Sequence, residues 1–97
     1  MNTKDIIIPP ASKNLKSRRV FLDAGEEVGE HSTKEREELI IIIDGEATLI
    51  NIDEGNKEKM KKETILKAGD AFFIGQKKTH NVINKSDKKL EYIYVTG

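Results

Sequence analysis

The sequence has no cysteine and no tryptophan, and only two prolines, three phenylalanines and two tyrosines. Without cysteine, disulfides, thiolate nucleophiles, Cys-ligated zinc and iron–sulfur clusters are all excluded. Long apolar runs are also missing. The longest, Leu39 to Ile43, is five residues, against the roughly 20 that a spanning helix needs. Three isoleucines ahead of Pro9-Pro10 are too few for a secretory apolar segment. These features lead us to expect a cytoplasmic protein that does not engage a membrane. Neither sign of charge prevails. The 17 basic and 17 acidic side chains cancel, which removes the electrostatic footprint of a nucleic-acid binder. A basic stretch at Lys57, Lys59, Lys61 and Lys62 is interrupted by Glu54, Glu58 and Glu63, and reads as a solvated hairpin. There is no glycine-rich phosphate loop, and no serine stands in a nucleophile setting.

What remains is a chain of 97 residues, the size of one domain with a modest core. Short β-type runs alternate with Gly, Asn and Asp. Ile6–Ile8 reads as an edge strand stopped by Pro9 and Pro10, and residues 1–16 as an N-terminal edge strand or arm. Asn14 to Arg19 reads as a polar turn, and Val20–Leu22 as a strand. His31 to Thr33 is a short strand, followed by a charged loop at Lys34 to Arg36. Glu38 to Ile43 is the strongest strand, because four consecutive isoleucines disfavour a helix. Asp44-Gly45 signals a hairpin that returns as Ala47 to Ile52. A turn at Asp53 to Lys57 leads to a strand at Glu63 to Leu66. Strands follow at Ala71–Ile74, Thr79–Ile83 and Leu90–Val95, with turns at Ala68–Asp70 and Asn84–Asp87. About eight strands at this spacing predict an all-β sandwich or barrel of the jelly-roll kind, a single domain over 1–97.

Alternation places Leu39, Ile41 and Ile43 on one face of their strand and Ile40 and Ile42 on the other. Two apolar faces are expected to be buried together, and in so short a chain a second copy is expected to cover one of them. This predicts a homodimer.

The chain has only two histidines, His31 and His80. Taken alone, each is an incidental surface or core residue. Glu38 shares a face with Ile40 and Ile42, and a carboxylate pointing inward there needs a partner or a metal. Glu37 shares the opposite face with Leu39 and Ile41, so alternation does not choose between them.

The spacing of these residues resembles the two sequence blocks of the cupins. The first block is Gly-x5-His-x-His-x(3 or 4)-Glu-x6-Gly, and here Gly25, His31, Glu38 and Gly45 stand in its places. The second is Gly-x5-Pro-x-Gly-x2-His-x3-Asn, matched by Gly69, His80 and Asn84, with Gly75 in the Pro place and Lys77 in the Gly place. The blocks and their link cover residues 25 to 84. Thr33 stands where the family has its second histidine. The resemblance implies a double-stranded β-helix and a divalent metal held by His31, Glu38 and His80. It leaves Thr33 as a pocket residue or a hydrogen-bond partner of metal-bound water. Two imidazoles and a carboxylate suit iron, zinc, nickel or manganese. The six-residue spacing to Gly45 selects Glu38 over Glu37.

The implied function is a metal-dependent enzyme acting on a small molecule, of isomerase, epimerase, decarboxylase or dioxygenase type. The alternative is a non-catalytic module that binds a sugar or other small ligand. No catalytic residue is assigned. Lys77 and Lys78 precede His80 and are either plain surface residues or attractors of an anion at the barrel mouth. Tyr92 and Tyr94 share a face of the last strand, as core packing or as a proton donor.

Overall fold

The isoleucine run lies at the centre of the architecture, paired on both sides. In the computed structural model, which describes residues 1–53 and 60–97, every helix or strand element is a strand. These are β1 (Asn2–Ile7), β2 (Lys16–Leu22), β3 (His31–Ser32), β4 (Glu38–Asp44), β5 (Glu46–Asp53), β6 (Met60–Lys67), β7 (Ala71–Ile74), β8 (Thr79–Ile83) and β9 (Leu90–Thr96). They form two antiparallel sheets, ordered β1-β2-β9-β4-β7 and β3-β8-β5-β6. This is the all-β architecture that the strand spacing predicts, in the double-stranded β-helix form that the cupin resemblance implies. Among the described residues no helix is long and apolar enough to cross a membrane.

The inner faces supply the core. Ile40 and Ile42 of β4 cluster with Val20 and Leu22 of β2, Leu90 and Tyr92 of β9 and Ile74 of β7 in their own sheet, and with Ala47, Leu49, Leu66 and Val82 from the facing sheet. Each fully buried Leu or Ile contributes about 1.5–3 kcal/mol. The other face of β4 differs from expectation within the single chain. Leu39 and Ile43 are exposed and Ile41 is half-buried.

Three strands run more than one residue beyond their expected bounds. β2 starts at Lys16, so residues 16–19 are strand rather than turn. Lys, Ser and Arg are weak strand formers, but β2 is hydrogen-bonded on one side to β1 and on the other to β9, and that pairing overrides propensity. β1 extends back to Asn2 and stops at Ile7. β6 spans Met60–Lys67 because β5 pairs with it along its whole length. The expected turn after Asp53, with Lys57 and Lys59 of the basic stretch, lies outside the described residues.

Gly45 turns β4 into β5 with φ +88. A Cβ there would sit 2.6 Å from the Lys89 carbonyl oxygen, so the position requires glycine on two counts. Asn84, fully buried, closes the same end of the barrel. Its Nδ2 donates to the carbonyls of Leu22 (3.0 Å) and Lys88 (2.7 Å), and its Oδ1 accepts from the backbone N–H and hydroxyl of Ser86.

Candidate metal centre

His31 of β3 and His80 of β8 are direct partners in an antiparallel pair, so both imidazoles leave the same face of their sheet. Glu38 opens β4 in the other sheet, and the alternation Glu38, Ile40, Ile42 turns its carboxylate inward. The two sheets thus bring three side chains together from positions far apart in sequence. One ligand atom from each lies within 4.8 Å of the other two. Glu37 is exposed, and its backbone pairs with Gly97. Alternation alone left the two glutamates equal; in the fold Glu38 is the inward one.

The hydrogen bonds prepare these atoms. Glu38 is 7% exposed and His80 is fully buried. His80 Nε2 lies 3.0 Å from Glu38 Oε2. His31 Nδ1 lies 2.9 Å from the Gly29 carbonyl oxygen. An Nδ1–H donated to that carbonyl leaves the His31 Nε2 lone pair free to bind. The Gly29 N–H in turn donates to Asn81 Oδ1 (2.8 Å). The two rings meet edge-on, with centroids 4.2 Å apart. Among the described residues His80 Nδ1 is buried without a partner, an unusual cost for a core polar atom. Two imidazole nitrogens and one carboxylate, with Glu38 and His80 buried and His31 exposed beside them, fit a borderline divalent ion of the iron, zinc, nickel or manganese type.

The cluster stands at the edge of a cavity of about 580 Å³. Val28, Val82 and Tyr92 give it apolar wall, and Lys16, Arg36, Tyr94 and Thr96 line it with polar groups. Burial, then the Glu38 charge and Tyr94, push the Tyr92 phenol well above its ordinary range, so its hydroxyl keeps its proton at any working pH. Thr33 borders the same cavity. Its hydroxyl donates to the Gly75 carbonyl (2.7 Å) and accepts from the Lys78 N–H (3.0 Å), tying the β7–β8 loop to the end of β3. Lys77 pairs loosely with Glu35, 3.9 Å away, and Lys78 lines a different cavity, beside Phe73 and Ile74.

The cations at this mouth, Lys16 and Arg36, were not singled out by the sequence. Lys16 was hidden by reading residues 14–19 as a turn. Once β2 is known, the alternation Lys16, Arg18, Val20, Leu22 is visible, a polar end running into an apolar one.

A family model described as the cupin domain matches residues 18–96. The chain belongs to the cupin family. Among solved structures, this cupin resembles a predicted oxalate decarboxylase from Thermotoga maritima, with a TM-score of 0.82 and 25% identity over 97% of this chain and 76% of the other. It also resembles a cupin 2 conserved barrel domain protein from Salinispora arenicola CNS-205, with a TM-score of 0.77 and 20% identity over 97% and 72%. A recombinant oxalate oxidase in complex with glycolate shares the fold, with a TM-score of 0.81 and 16% identity; this cupin covers 98% of itself and 49% of that chain. No curated protein matches the sequence.

Proposed function

We propose that this cupin binds one divalent metal ion through His31, Glu38 and His80 and uses it to act on a small molecule held in the adjoining cavity. The observation that carries this reading is the convergence of the three donor groups beside a cavity, lined by His31 and Glu38, that is large enough for a small substrate. Three protein ligands leave coordination positions for substrate or water, the hallmark of catalytic rather than structural sites. The ion supplies Lewis acidity. The chain's residues do the rest. Gly29 fixes the His31 ring, Val28 and Val82 exclude water from one side, and Tyr92 presents a hydroxyl that stays protonated. Thr33 belongs to the wall, where its two backbone bonds keep the loop closed on β3.

The similarity to a predicted oxalate decarboxylase supports small-molecule chemistry without fixing the reaction, because fold and function separate readily. A non-catalytic ligand-binding barrel is the second reading, favoured by Thr33 standing in the place of a fourth ligand. We also propose a homodimer over the whole chain. Leu39, Ile41 and Phe73, with Ile93 and Val95 beside them in register, form an apolar outer strip suited to a second copy.

The test is elemental analysis of tag-free protein beside a His31→Ala, His80→Ala double variant. Near-stoichiometric metal in the parent that disappears in the variant is expected, and the element found narrows the chemistry. Protein that stays metal-free after reconstitution with iron, zinc, nickel and manganese overturns the reading in favour of a metal-free barrel.

A further inference from the structure

We infer that the cavity selects a small organic acid that binds the metal at one end and presents a carboxylate to Lys16 and Arg36 at the other. This rests on the metal-site reading and names the substrate class for it.

The strand register orders the inner wall in rows. Lys16 of β2, Thr96 of β9 and Glu38 of β4 are side by side. Behind them stand Arg18, Tyr94 and Ile40, and then Val20, Tyr92 and Ile42. The wall therefore passes from charged at the mouth to apolar at depth. Neighbouring strands are about 4.8 Å apart, so Lys16 and Glu38 start roughly 10 Å apart at their backbones. A lysine stem closes much of that distance, and a ligand of a few carbon atoms bridges the rest.

Charge bookkeeping at the mouth makes the ligand anionic. Arg18 is already answered by Asp5 at 2.7 Å. Glu30, also on the cavity wall, lies 3.6 Å from Lys61. Lys16 has no carboxylate partner among the described residues. Among the described residues the Arg36 guanidinium donates only to neutral oxygens, the Asn14 carbonyl and Thr96 Oγ1, each at 3.3 Å. Those two bonds hold the guanidinium beside β9 and leave its other N–H groups to point elsewhere. A bound divalent ion more than cancels Glu38, so the mouth carries a positive surplus that a carboxylate neutralises. A guanidinium held in place recognises a carboxylate through paired N–H donors, and an open positive cleft raises the capture rate of anions.

The probes are malonate and succinate, with their neutral diamides malonamide and succinamide, titrated calorimetrically into zinc-loaded protein. Zinc serves as a redox-silent ion, and its content is measured separately. At least one dicarboxylate is expected to bind at least tenfold more tightly than its diamide, with an affinity that falls as salt rises. Lys16→Met and Arg36→Gln should each weaken that binding by tenfold or more while zinc content holds. Arg36→Lys should recover part of the loss, and Lys77→Met should change nothing. Dicarboxylates that bind the two variants as well as the parent overturn the proposal, as do diamides that bind equally well or zinc-loaded protein that takes neither dicarboxylate. A parent protein that takes up no zinc, and no iron, nickel or manganese in its place, instead defeats the metal-site reading, and this inference falls with it.

Discussion

The two ends of the barrel treat buried polar groups in opposite ways. At the closed end, Asn84 is fully buried and uses both sides of its amide, two N–H bonds out and two acceptor bonds in. Its backbone is also paired, with the N–H donating to Glu26 and the carbonyl accepting from Gly25. At the mouth, His80 is as deeply buried, yet one ring nitrogen has no partner among the described residues. Glu38, nearly as buried, has a single side-chain hydrogen bond among the described residues. Saturated groups fix the fold. Groups left with spare capacity, in a place where such capacity is costly, are equipped for something that arrives later.

Substitutions sharpen or break that contrast. Asn84→Ala strands the buried Leu22 carbonyl and removes the half-buried bonds to Lys88 and Ser86, and should lower unfolding free energy by about 3 kcal/mol, a sum of several unpaired groups. Urea titration measures it, and a loss below about 1 kcal/mol would remove Asn84 from its structural role. Gly45→Ala should cost about 1–3 kcal/mol, from a strained positive φ and the approach to the Lys89 carbonyl. Thr33→Val should cost about 1 kcal/mol through the unpaired Lys78 N–H, with metal content unchanged. A fall in metal content there would give Thr33 a part in holding a metal-bound water.

The smallest effect is on pH dependence. The folded Tyr92 phenol lies above its unfolded value, so the folded chain keeps a proton that the unfolded chain loses. That stabilisation is complete below about pH 10 and fades as pH rises past it. At pH 10.5 the parent should have lost about 1 kcal/mol more than Tyr92→Phe, measured as the difference between their urea curves. Equal losses in both would mean that the phenol is reached by water.

The sequence made the central strands legible because their signals are local. Four isoleucines and Asp44-Gly45 define β4, its turn and the return strand from nearby residues alone. The start of β2 was illegible for the opposite reason. Lys16, Ser17, Arg18 and Arg19 are strand only because β1 and β9 pair on either side of them. The same holds for the site. His31, Glu38 and His80 were found through the spacing of two family blocks, but nothing local separated Glu38 from Glu37. Lys16 and Arg36 were missed because they become neighbours only through Thr96, near the far end of the chain.

The most direct test is the unfolding free energy of the parent and of Glu38→Gln, each measured with EDTA and then with zinc. Breaking a buried structural ion pair costs about 3–5 kcal/mol. A ligand group that waits for a metal costs far less when replaced by a neutral amide of the same shape. The account predicts metal-free stabilities within about 1 kcal/mol of each other. It also predicts a zinc-dependent gain in the parent alone, about 2.7 kcal/mol at a hundredfold excess over Kd. A Glu38→Gln protein that is badly destabilised without metal, or that gains as much from zinc as the parent, would contradict it.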